Sequence, residues 1–207
     1  MFTAAIKHLR DHDPVLRRII DRGAVPDFAP HTDYYQELTS SIIGQQLSVK
    51  AAASINKRFV ELFDTFPSPE QILTKNIDEL RTAGLSGAKA RYVQDLARHI
   101  IDGKITFNDF DQMSNEEIAR ELTRVKGIGE WTAHMFLIFC MGRQDVLPIG
   151  DLGIRNGTKT LYGLTSLPTP DQVREIAKQQ HWHPYESVAS WYVWEALDNA
   201  PKKDSPL

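Results

Sequence analysis

An all-α fold is predicted for this chain by three features: apolar residues recur at helical spacing from end to end, alternating strand-like patterns are nearly absent, and Gly, Pro, Ser and Asp divide the chain into helix-length segments. Ile6, Leu9, Leu16, Ile19 and Ile20 mark two N-terminal helices, with Asp13-Pro14 opening the second. Ala24 to Pro30 carries two prolines and reads as a loop. Tyr34 to Phe63 divides into a helix ending near Gly44 and another running from Ser48 through Ile55, Phe59 and Leu62. Ser68-Pro69 is a helix start, since serine caps well and proline is tolerated in a first turn. Asp78 to Ala83 is short and helical, and Gly84 to Gly87 is a turn. Ala88 to Ile101 is an amphipathic helix, and Ser114 to Glu117 opens one that runs to about Thr123. An apolar helix from Trp131 is expected to run until Pro148-Ile149-Gly150 breaks it. Asp151 to Leu161, Asp171 to Gln179 and Pro184 to Leu197 complete the helices, and Pro201 to Leu207 reads as a disordered tail.

At 207 residues, with 42% hydrophobic and 25% charged residues, the chain can bury a core as one domain or two small ones. The apolar run Met135 to Met141 is far shorter than the roughly 20 residues a membrane-spanning helix needs, so no membrane partner is expected. Met1 to Arg10 lacks the apolar block and cleavage site of a signal peptide, which makes a cytoplasmic location the expectation, nucleoid-associated if the cell is bacterial. The single cysteine, Cys140, sits inside the apolar run and reads as a buried small hydrophobe; it leaves no disulfide framework and no cysteine-ligated cluster. Nor do the histidines form a zinc pattern, since His181 and His183 point apart at their spacing. A net charge of −3 counts mildly against nucleic acid, but Lys50, Lys57 and Arg58, and Lys89, Arg91 and Arg98, form local basic clusters.

Val125-Lys126-Gly127-Ile128-Gly129 between two helices has a specific physical use. Gly127 and Gly129 permit positive φ and leave backbone N–H groups uncovered. Those groups, with the N-terminus of the next helix, suit one phosphate, while Ile128 would anchor the turn. A glycine turn joining any helix pair reads the same way.

The surrounding residues narrow this. Val125-Lys126-Gly127-Ile128-Gly129-Glu130-Trp131-Thr132-Ala133, with Pro148-Ile149-Gly150-Asp151 downstream, resembles the helix-hairpin-helix base-excision DNA glycosylase superfamily. Within it the alkylated-base branch, the 3-methyladenine DNA glycosylase II type, is the most similar. Ile42 to Ala52 resembles that branch's early helix and DNA-wedge loop, and Trp182 to Ala189 its late helix, which ends at Trp194. The resemblance implies two helical subdomains flanking a DNA- and base-binding cleft: residues 1–33 with 145–207, and 34–144 containing the helix-hairpin-helix at about 118–140. There is no room for the N-terminal β domain of some relatives, so the chain reads as a short form.

Asp151 reads either as the N-cap of the following helix or, by resemblance, as the catalytic carboxylate; both can hold together. Breaking a C1′–N bond develops oxocarbenium charge that a carboxylate stabilises while orienting water. Relatives that also cut the strand place a lysine just after the hairpin, and here Trp131 stands there. The expectation is a monofunctional glycosylase acting in base excision repair on double-stranded DNA with alkylated purines, 3-methyladenine or 7-methylguanine. A monomer without a cofactor is expected.

Trp131 and Trp194 match the family's pocket tryptophans, though core packing explains tryptophans as well. Aromatics of the family pattern are replaced by Met135 and Leu152. For DNA contact the candidates are Gln45, Gln46 and Leu47 of the wedge loop, Lys50 and Lys89 for phosphates, and Gly127, Gly129 and Thr132 at the hairpin. Gln46 would plug the vacated stack, or else simply cap a helix end. By resemblance, the backbone carbonyls of Thr123, Val125 and Ile128 would hold a structural Na or K ion. Two other functions fit the same residues: a non-catalytic helix-hairpin-helix DNA-binding protein, and a glycosylase for oxidised or deaminated bases.

Overall fold

The computed structural model describes residues 2–198, so the tail expected to be disordered lies outside the described residues. Every regular element among them is helical. In chain order the helices are α1 (Thr3–His12), α2 (Pro14–Ile20), α3 (Tyr34–Gly44), α4 (Val49–Glu61), α5 (Pro69–Thr74), α6 (Ile77–Thr82), α7 (Gly87–Ile101), α8 (Asn115–Leu122), α9 (Glu130–Met135), α10 (Leu152–Leu161), α11 (Pro170–Gln179) and α12 (Glu186–Asp198). A 3₁₀ segment, Phe107–Gln112, precedes α8 and has no counterpart in the periodicity. No described helix is long and apolar enough to cross a membrane.

Side chains chosen for their geometry fix where most of these helices begin. Ser68 with Gln71, Asn76 with Glu79, Ser114 with Glu117 and Thr169 with Gln172 form reciprocal capping boxes. Ser48 and Ser86 each accept one backbone N–H at the starts of α4 and α7. Each such cap contributes about 1 kcal/mol by pairing a donor that the helix itself leaves open.

The chain divides into two compact units, one spanning His31–Phe136 and the other formed by the residues up to Pro30 and those from Leu137 onward. The joins expected at 33/34 and 144/145 thus fall at 30/31 and 136/137. In the His31–Phe136 unit, α7 packs against α3, α5 and α6. Its Ala90, Val93 and Ala97 share a core with Ile43, Phe59 and Ile72, all fully buried.

The second join differs because the apolar helix from Trp131 does not continue to Pro148. The α-helix ends at Met135, and Phe136–Cys140 follows as a wider π-helical turn. Gly142, at φ +71°, then turns the chain, and the Arg143 N–H bonds back to the Leu137 carbonyl at 2.9 Å. A Cβ at Gly142 would lie 2.5 Å from Pro30 Cγ, so glycine is required both for the backbone angle and for the close approach. Cys140 is buried within this turn, as its apolar setting predicts.

In the other unit α10 crosses α12 closely at Gly157, where a Cβ would sit 2.4 Å from Val193 Cγ1 and 2.9 Å from the Val193 carbonyl oxygen. The same unit contains a fully buried carboxylate, Asp13. Its Oδ1 accepts the Val15 and Leu16 N–H groups at 2.8 and 3.0 Å, capping α2. Its Oδ2 accepts the Trp182 indole N–H at 2.8 Å and the Tyr162 hydroxyl. Burial, reinforced by the Asp13 charge, pushes the Tyr162 phenol well above its ordinary range, so it remains a donor.

Candidate functional site

In the His31–Phe136 unit the hairpin joins α8 to α9 and is held from two sides. Gly127 adopts φ +87°, while Gly129 has φ −93° and serves as the N-cap of α9; only the first glycine takes the left-handed conformation foreseen for both. A Cβ at Gly127 would meet the Tyr92 ring at 2.2 Å, whereas nothing lies within 4 Å of one at Gly129. The Lys126 N–H donates to Asp95 Oδ2 at 2.8 Å, and the Gln45 amide nitrogen donates to the Gly127 carbonyl at 2.7 Å. Ile128 is buried and anchors the turn.

The glycines should therefore respond differently to alanine. Gly127→Ala must accept both left-handed strain and a clash, a destabilisation of about 2–4 kcal/mol. Gly129→Ala, a poorer N-cap in open space, should lose no more than about 1 kcal/mol. Urea unfolding of the two variants checks this, and equal losses would contradict the assignment.

No side chain caps α9, in contrast to α4 through α8. The first-turn N–H groups are thus presented from a bare glycine, an arrangement suited to an anion. The Thr132 side chain is buried, which leaves only its backbone available as a candidate contact. Trp131 and Met135 lie one turn apart on α9, Trp131 half exposed and Met135 partly buried. Among the described residues no backbone N–H bonds the carbonyls of Thr123 or Ile128, and that of Val125 accepts one from Ile128 at 3.1 Å. Hard carbonyl oxygens with open lone pairs fit a monovalent cation.

The loop between α3 and α4 carries exposed Gln46 and Leu47, with Gln46 in the left-handed region at φ +58°. Lys50 is exposed on the first turn of α4. Lys89, a candidate for phosphate contact, is also bonded within its own unit. Its ammonium donates to the carbonyls of Ile43 and Gln45 at 2.8 and 2.6 Å, at the C-terminal end of α3 where helix carbonyls lack partners. Burial pulls its pKa down, and two of its three donors are engaged by carbonyls of the protein. Gln45 likewise uses its amide on the hairpin.

In the other unit Asp151 follows a turn in which its own N–H bonds the Pro148 carbonyl at 2.9 Å. Asp151 Oδ1 caps α10 by accepting the Ile154 N–H at 2.7 Å, and it also accepts the Trp194 indole N–H at 3.0 Å. Asp151 and Trp194, predicted separately, are therefore bonded to each other. Gly153 makes this approach possible, because a Cβ there would lie 2.9 Å from Asp151 Oδ1 and 3.1 Å from the indole. Trp194 also stacks on Phe139, with ring centroids 5.8 Å apart. Both Phe139 and Leu152 are substantially exposed.

α12 holds this loop at a second point. The Ser187 hydroxyl donates to the Arg143 carbonyl and accepts the Val146 N–H, at 2.7 and 3.1 Å. Ser187 and Trp194 are two helical turns apart on one face, so a single helix fixes the start of the loop and its carboxylate. Gly153, Phe139 and Ser187 were missed from sequence. Gly153, two residues past the aspartate, was the one with a visible signal.

Comparison with known proteins shows the family to which the chain belongs. Residues 39–181 match the HhH-GPD superfamily of base excision DNA repair proteins. The chain is 35% identical over 201 residues to DNA-3-methyladenine glycosylase 1 of Schizosaccharomyces pombe, covering 93% of this chain and 86% of that protein. The structure of the S. pombe 3-methyladenine DNA glycosylase Mag1 in complex with abasic DNA superposes with a TM-score of 0.82 at 34% identity, covering 96% and 98% of the two chains. A DNA-3-methyladenine glycosidase from Bacillus halodurans gives a TM-score of 0.85, also at 34% identity, over 94% and 89%.

Proposed function

Because this chain belongs to the HhH-GPD superfamily of base excision DNA repair proteins, we propose that it is a monofunctional DNA glycosylase that removes alkylated purines from double-stranded DNA. The observation that carries this reading is the Asp151 carboxylate, fixed through Oδ1 by the α10 N-terminus and by Trp194.

Hydrolysis of the N-glycosidic bond develops positive charge on the sugar as the base departs. The Asp151 carboxylate stabilises that charge and orients or deprotonates the attacking water. Alkylation of a purine ring nitrogen makes the base a good leaving group, so a strong general acid is unnecessary. A cationic purine is attracted to electron-rich ring faces, each stack contributing about 1–3 kcal/mol. Trp131 and Trp194, with Met135 and Leu152, are assigned to contact the base, and exposed Phe139 joins them through its stack on Trp194.

The α9 N-terminus, with Gly127 and Gly129, would grip one backbone phosphate. Lys50 would add a side-chain contact to the backbone, and Gln46 with Leu47 would fill the vacated stack. The carbonyls of Thr123, Val125 and Ile128 would hold a Na or K ion, whose charge adds to that of the hairpin. The protein acts as a monomer without an organic cofactor, in the compartment holding the DNA: the cytoplasm, beside the nucleoid, if the cell is bacterial.

With Trp131 after the hairpin there is no amine at that position to form a Schiff base. On a duplex carrying one alkylated purine, the expected products are free base and an abasic strand that breaks only on alkali treatment, with no borohydride-trapped adduct. A trapped covalent complex would overturn the monofunctional assignment.

A further inference from the structure

Both loops assigned to DNA contact in the His31–Phe136 unit are tied to one flank of α7. Lys89 and Tyr92, and then Tyr92 and Asp95, are spaced by three residues, so each neighbours the next along the helix. Lys89 holds the end of α3 and the Gln45 carbonyl. The Tyr92 ring lies against Gly127, and Asp95 accepts the Lys126 N–H. The Gln45 amide then closes the circuit by donating to the Gly127 carbonyl. At the centre of the held loop Gln46 adopts φ +58°, a conformation that L-residues keep only when their surroundings enforce it.

We propose that Lys89, Tyr92 and Asp95, with Gln45, are positioning residues that lock the Gln46 loop to the phosphate-gripping hairpin, so that gripping the backbone drives the base out of the stack. The proposal rests on the glycosylase reading above. Extrusion opposes the stacking and pairing of the duplex, so a wedge on a compliant loop would yield before the base does. A wedge clamped to its phosphate anchor transmits the binding interaction to the stack. On this account Lys89 acts on DNA without touching it, through two carbonyls of its own chain.

The test compares base release from two oligonucleotides, each with a single 7-methylguanine, paired with cytosine in one and within an unpaired bubble in the other. Lys89→Met keeps the aliphatic stem and removes the donors. Gln45→Met removes one partly exposed hydrogen bond and keeps the variant set informative should Lys89→Met fail to fold. Both variants should release the paired base about tenfold to a hundredfold more slowly, the scale of a misplaced group in a catalytic assembly. Release from the bubble should stay at the wild-type rate, and Lys89→Arg should restore much of the paired-base rate. Equal losses on both substrates, or no loss on either, would overturn the clamp. Absence of release by the wild-type protein from both oligonucleotides would instead overturn the glycosylase reading, and the clamp with it.

Discussion

Asp151→Asn protein is expected to bind duplex DNA as the wild type does while releasing base about 10²–10³-fold more slowly, the range for losing one preorganised electrostatic group. The substitution separates the two roles that meet in this residue. An asparagine can keep its carbonyl oxygen toward the Ile154 N–H and the Trp194 indole, the two donors bonded by Asp151 Oδ1. Asparagine is also as good an N-cap as aspartate, so stability should change by less than about 1 kcal/mol. On the proposed mechanism, what is lost is the negative charge that would stabilise the sugar cation. Single-turnover release from methylated DNA, with binding measured in parallel, checks this. An Asn variant with full activity would reduce Asp151 to a helix cap.

The largest expected loss of stability lies elsewhere, at Asp13. This buried carboxylate satisfies four donors: two N–H groups of α2, the Trp182 indole and the Tyr162 hydroxyl. Asp13→Ala would strand them, two in the buried interior and two partly buried, where each stranded donor costs about 1–3 kcal/mol. Partial relaxation leaves an expected destabilisation of about 4–5 kcal/mol, comparable with removing one partner of a buried ion pair. Asp13→Asn should cost less, because its carbonyl oxygen can still cap α2 and the Tyr162 hydroxyl can rotate to accept. Urea unfolding at neutral pH reads both variants. An alanine variant within about 1 kcal/mol of wild type would mean that water reaches these donors.

The helices were legible because their starts are written locally. Asp13-Pro14, Ser68-Pro69, Ser114 and Thr169-Pro170 each cap or open a helix within three residues of themselves. The hairpin was legible for the same reason, although only Gly127 takes positive φ. What stayed hidden depends on partners far along the chain. Asp13 reads as punctuation, yet its indole partner is Trp182. Lys89 reads as an exposed cation on an amphipathic helix, and nothing local shows that carbonyls at Ile43 and Gln45 engage it.

The early end of the apolar helix was hidden differently. Periodicity cannot distinguish an α-turn from the π-helical turn at Phe136–Cys140, because the same apolar residues serve either. That turn precedes the reversal at Gly142, which periodicity also passed over. At the carboxylate, Asp151 and Trp194 were legible as individuals through the family pattern. Their bond, and the absence of a side chain at Gly153 that permits it, belong to the packing of α10 on α12.

The most direct test is chromatography of the bases freed when the wild-type protein is incubated with methyl-sulfonate-treated duplex DNA. Release of 3-methyladenine or 7-methylguanine, leaving abasic sites in unbroken strands, is the predicted result. Tight binding to that DNA with no base released would contradict the account and leave the hairpin as a phosphate grip alone.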